Sequence, residues 1–119
     1  MTMRHTAVYE NNKDENLYVD AVRLQGAQFE NLFNNLAPVV NGFATSVKEV
    51  SLNDPNAYEK RNLVGNLLFG SPREVVEKLR LYQNLGVDYF CYMASFGVPL
   101  DKQKQSLRLF IDEVLPEFQ

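Results

Sequence analysis

Apolar and polar positions along this chain fall into blocks, and each block predicts an element. In residues 15–36 the apolar positions Tyr18, Val22, Phe29, Leu32, Phe33 and Leu36 recur at helical spacing, with Asp20, Arg23, Glu30 and Asn34 largely opposite them. That spacing predicts an amphipathic helix. Its aromatics Tyr18, Phe29 and Phe33 are expected in the core, because such a helix must bury its apolar face. Gly26 is the weak point, at a cost of about 1 kcal/mol against alanine, and Pro38 fits a boundary past the helix end. Residues 37–54 lack a clear period. Val39, Val40 and Phe43 are apolar, but Asn41 and Gly42 interrupt them; a short helix near 38–48 is preferred over a loop. Asp54-Pro55 then opens a short helix, with Asp54 as its cap and Pro55 in its first turn.

Residues 67–95 read LLFGSPREVVEKLRLYQNLGVDYFCYMAS. An apolar run at 67–69 ends at Gly70, Ser71 follows as an N-cap, and Pro72 takes the first helical position. Glu74 lies three residues after Ser71, which makes a capping box. The helix at 72–85 places Val75, Val76, Leu79 and Tyr82 on one face, and Gly86 closes it. The second strand, 87–94, is apolar on both faces apart from Asp88, the pattern of a strand covered on both sides in a parallel sheet. Cys91 in its middle is expected to be a small buried hydrophobe. Together these signals predict a β-α-β unit. After the loop 95–99, Asp101 is expected to cap a last helix that buries Leu107, Phe110, Ile111, Val114 and Leu115.

Residues 1–14 are mostly polar and aperiodic, and are expected to form a flexible arm ahead of one domain at 15–119. His5, the only histidine, is expected to be exposed there. The net charge of −3 comes with no basic cluster, which argues against nucleic acid as a partner. No apolar run approaches the roughly 20 residues of a membrane span. The start, MTMRHTAVYE, lacks the apolar stretch of a secretory signal, so a cytoplasmic location is expected. One cysteine permits neither an internal disulfide nor a multi-cysteine metal site.

The order GSPREVVEKL, NLGVDYF and SFGVPLDKQKQSLRLFIDEVLPEF resembles the C-terminal end of the luciferase-like flavin-dependent monooxygenases. The loop reads FGVPL where members of that family often carry FGGLP. The resemblance implies an α/β fold: the C-terminal portion of a (β/α)8 (TIM) barrel, helix-rich, with two short parallel strands. Residues 67–69 would be the seventh strand and 87–94 the eighth, and the earlier strands would be lacking. It implies reduced FMN as cofactor, or no cofactor held by this chain alone, with a flavin reductase as partner and insertion of one atom of O2 into a small organic substrate. Barrel chemistry sits at C-terminal strand ends. The cofactor-binding candidates are therefore Gly70, Ser71, Ser95, Phe96 and Gly97, and the amides near Ser71 could hold an anion. No catalytic residue can be named. The alternative is a non-catalytic remnant of the family that serves as an oligomerisation or partner-binding module. An uncovered parallel edge predicts self-association, or pairing with a complementary barrel segment.

Overall fold

Thr6, Ala7, Val8 and Tyr9 are small or apolar in succession, and all four are buried. They belong to the centre of the molecule. The computed structural model describes residues 1–34, 37–44 and 54–119, and in it β1 (Thr2–Val8) is the middle strand of a three-stranded sheet. The arm expected at residues 1–14 is thus corrected. A strand covered on both faces has no polar alternation to reveal it, and four apolar or small residues are too short a run to identify a strand by period.

β4 (Leu68–Gly70) and β5 (Phe90–Met93) both run parallel to β1, in the order β4-β1-β5. The α/β class and the parallel pairing agree with the sequence. The neighbour relation does not, since β1 separates the two strands expected to be adjacent. β4 pairs with residues 6–8 of β1 and β5 with residues 2–5, so the two flanking strands are staggered along the central one.

α1 (Glu15–Asn34) covers one face of this sheet. Its Tyr18, Val19 and Val22 join Ala7, Tyr9, Phe69, Phe96 and Val98 in one core, with Leu63 of α2 (Lys60–Asn66). The other face buries Val8 and Leu68 against Val75 and Leu79 of α3 (Pro72–Asn84) and against Val114. Alternate residues of β1 and β4 feed opposite cores, as the strand period of two requires. The result is a layered helix–sheet–helix arrangement.

The large apolar side chains of α1 find cover only in its first half; in the second half the buried residues are Ala27 and Asn31. Phe29, Leu32 and Phe33 are exposed, Phe33 by 74%, so the core placement expected for Phe29 and Phe33 fails while that of Tyr18 holds. A 20-residue helix is about 30 Å long, more than three short strands can cover. Leu36 lies outside the described residues. The short helix preferred near 38–48 is corrected for the part described: β2 (Val39–Val40) and β3 (Phe43–Ala44) form an antiparallel pair. Asn41 and Gly42 both take positive φ, 51° and 81°, the pair of left-handed residues that a two-residue hairpin turn needs.

Asp54 caps a 3₁₀ turn at Pro55–Tyr58, its carboxylate accepting from the N–H groups of Asn56 and Ala57. α3 begins and ends as its punctuation predicts, with the capping box at Ser71 and a positive φ at Gly86. β5 departs from expectation. It is an edge strand with half-buried and exposed positions, and Cys91 is exposed rather than buried. α4 (Leu100–Leu109) starts after Pro99 with no side-chain cap, so Asp101 stands in its first turn without capping it. A π-helical turn at Phe110–Val114 and a 3₁₀ turn at Leu115–Phe118 finish the chain. The wider turn shifts the helical phase. Ser106 and Val114 are buried, whereas the expected core residues Leu107, Ile111 and Leu115 are exposed.

Candidate functional site

Two places on this framework gather chemistry. The first is the C-terminal edge of the sheet, where ligands of open α/β folds bind. Tyr9, just past β1, donates its phenol proton to Glu15 Oε2 at 2.7 Å, and Lys60 Nζ lies 2.8 Å from Glu15 Oε1. The Tyr9 and Tyr18 rings stack with centroids 5.5 Å apart. Burial pushes the Tyr9 phenol well above its ordinary value, reinforced by the hydrogen bond to Glu15 and its charge. Burial also pushes Tyr18 up to about 12. Glu15 is held below the usual carboxylate range, first by Lys60 and then by Tyr9, against the opposing effect of burial. Near neutral pH this is a neutral phenol on a charged carboxylate, an arrangement that supports structure and leaves no group poised to exchange a proton.

Gly70 and Ser71 lie at the same edge, at the end of β4. The Gly70 carbonyl accepts from the Tyr9 N–H at 3.1 Å. Ser71 donates to Glu74 Oε2 twice, from its N–H at 2.7 Å and from Oγ at 2.8 Å. The Ser71 backbone N–H, then its side chain, hold Glu74 below the usual carboxylate range. A Cβ built on Gly70, whose φ is +151°, would come within 2.8 Å of Glu74 Oε2. A carboxylate therefore occupies the position that an anion would take at this helix start. A flavin phosphate does not fit there: it would meet a like charge, and the nearest N–H is already engaged.

Ser95, Phe96 and Gly97 follow β5, on the other side of β1. Gly70 is level with Val8 of β1 and Met93 with His5, and the chain runs on past Met93 to bring the Phe96 ring onto Phe69, the neighbour of Gly70. Phe96 is core. Its ring stacks on Phe69 at 5.8 Å and lies 6.4 Å from that of Tyr18. The Phe69–Phe96 contact joins the two groups of candidates through the core, while Ser95 and Gly97 stay on the surface.

The second place is a cleft of about 810 Å³ left by the stagger of the strands. β4 pairs only with residues 6–8 of β1, so residues 3–5 of β1 border open space between α1 and α3. His5 lies in its wall, half-buried rather than exposed as the sequence suggested. Its Nε2 is 2.5 Å from Gln25 Oε1, and its ring stands edge-on to Phe96 at 5.1 Å. Arg4 donates to Tyr82 Oη at 3.1 Å, with its guanidinium 5.7 Å from the Tyr82 ring centroid. Tyr58 and Phe29 add aromatic wall. A Cβ at Gly26 would run into the Tyr58 ring, so a larger residue there would require Tyr58 to shift. Size, aromatic walls and a few polar groups suit a flat organic ligand. His5 was legible only to a reader who took residues 2–8 as a strand and so placed it in the sheet.

Among the described residues no group of three or more His, Cys, Asp or Glu could hold a metal ion. No described helix is long and apolar enough to cross a membrane. No known family model matches the chain, and no solved structure matches it. A curated relative does: the oxygenase component of the flavin-dependent trigonelline monooxygenase of Acinetobacter baylyi, 24% identical over 118 residues, or 99% of this chain. The chain spans about a third (33%) of that relative's length. Over nearly all its own length, then, the chain is similar to part of a flavin-dependent oxygenase component.

Proposed function

We propose that this chain is a segment of a luciferase-like, reduced-flavin-dependent monooxygenase, acting as part of an oxygenase component that receives reduced flavin from a separate reductase. The observation that carries the reading is the similarity over 118 residues to an oxygenase component. The parallel strands and their covering helices agree with an α/β segment of this kind, while the order β4-β1-β5 departs from the sequential neighbour order of a (β/α)8 barrel. Reduced FMN, when bound, supplies the electrons for inserting one atom of O2 into a small organic substrate. The chain's own part is to form walls. His5, Gln25, Phe29 and Tyr58 border a cleft that a flat molecule can enter, and Ser95 and Gly97 present free surface beyond β5.

One observation favours a second reading. Glu74 closes the Gly70–Ser71 turn from within, which suits a chain that no longer holds flavin phosphate and works as a non-catalytic, partner-binding remnant. Titrating FMN with the purified chain separates the two. Saturable quenching of flavin fluorescence, weakened by His5→Ala, supports the first reading; fluorescence that stays unchanged at every protein concentration supports the remnant.

A further inference from the structure

The two outer strands of the sheet are protected very differently. β4 turns the carbonyls of Leu67 and Phe69 away from β1, and Lys78 of α3 covers them, its Nζ donating at 3.1 and 2.8 Å and also to the Val64 carbonyl at 2.5 Å. A charged group over an edge is a usual guard against further pairing. β5 has no such guard. Its Tyr89 carbonyl accepts from Thr2 of β1 at 2.9 Å, so residues 89, 91 and 93 face β1, and Phe90 and Tyr92 turn their N–H and C=O groups outward. Among the described residues no hydrogen bond reaches those outward groups, and residues 89–94 contain no charge and no proline.

We propose that the outer edge of β5 pairs with the same edge of a second copy of this chain, antiparallel about a two-fold axis centred on Cys91. Strand pairing across a two-fold axis is necessarily antiparallel and self-complementary, and this sequence suits it. With Cys91 opposite Cys91, Phe90 faces Tyr92 of the other copy through the outward backbone groups, an aromatic cross-strand pair. Tyr89, 74% exposed in one copy, faces Met93 of the other, a favourable sulfur–aromatic contact. Asp88 falls opposite Ala94, so no like charges meet. The other side of the strand carries Phe90 stacked on Phe110 at 6.2 Å and Tyr92 edge-on to it at 4.9 Å, beside an open apolar groove of about 360 Å³ that the pairing would extend between the two copies. The assembled sheet has six strands, with a Lys78-covered edge at each end. This inference does not depend on flavin binding, and it assigns the β5 edge to a second copy rather than to further barrel strands.

Sedimentation velocity in reducing buffer tests it, with twice the 13.7 kDa chain mass expected at micromolar concentration. Cys91 then reports the register. Two residues opposed without direct hydrogen bonds have Cα atoms about 4.5 Å apart, inside the roughly 4.4–6.8 Å that a disulfide spans. Diamide, by taking one hydrogen from each thiol, should therefore link the copies through Cys91. A chain carrying Tyr89→Cys and one carrying Met93→Cys, each also with Cys91→Ser, should cross-link when mixed and not alone. A monomer at all concentrations, with the edge left for a different chain, overturns the proposal. So does a dimer that diamide fails to link through Cys91.

Discussion

Lys78 shows how much one side chain can settle. Its ammonium satisfies three carbonyls at the end of α2 and along β4, although burial draws its pKa down. Replacing it with methionine leaves those carbonyls without their donor. Lys78→Met is expected to lower stability by about 1–3 kcal/mol, read as a lower urea midpoint, and an unchanged midpoint would refute the role. Glu15 and Glu74 give the acid limb of stability. Both carboxyls sit below their ordinary value of 4.5 when folded, so the folded state binds their protons less readily than the unfolded chain. Their contribution is complete above the unfolded value and is lost as pH falls through the lower folded values. Melting temperature should therefore hold near neutral pH and fall in acid, and Glu74→Gln should flatten part of that fall; an identical acid slope in the variant would count against the capping carboxylate. The Ser71–Glu74 box was legible because its partners are three residues apart. Lys78 was not, because its partners are carbonyls brought near only by the fold.

At the scale of elements, local punctuation was read well and tertiary cover was not. α3 has a cap, a proline and a closing glycine in its own sequence, and it forms where they place it. β1 carries no such marks, and its identity as a strand depends on the two neighbours that pair with it. The hairpin at Asn41-Gly42 did leave a mark, the dipeptide itself, which reads as an interruption only if a helix is sought there. The aromatic stripe of α1 was legible as a pattern, but which part of it is covered depends on the width of the sheet. This difference is measurable. Phe33→Gln should change stability by less than about 0.5 kcal/mol, as for an ordinary surface substitution. Leu68→Ala, at a side chain 1% exposed, should cost about 2–5 kcal/mol. Equal effects in urea denaturation would contradict the burial pattern.

For the whole molecule, the sheet order decides what the chain can offer. With β1 in the centre, one edge is guarded by Lys78 and the other is bare, and the stagger of the outer strands opens the cleft beside His5. Of the five positions marked in the sequence for a cofactor, Gly70 and Ser71 lie at the end of β4, and Ser95, Phe96 and Gly97 follow β5. The capping box read from the sequence already places the Glu74 carboxylate on the Ser71 N–H, but that Phe96 points into the core was not legible, because its ring partners are brought near only by the fold. The similarity to an oxygenase component covers 99% of the chain and only 33% of that relative, and it is what supports the proposal that a flat ligand such as flavin meets this chain at the His5 cleft. Equilibrium titration of FMN fluorescence with the wild-type chain and with His5→Ala tests it most directly. Saturable quenching by the wild type and a right-shifted curve for the variant are expected. Flat fluorescence with both chains, or curves that coincide, would contradict the proposal.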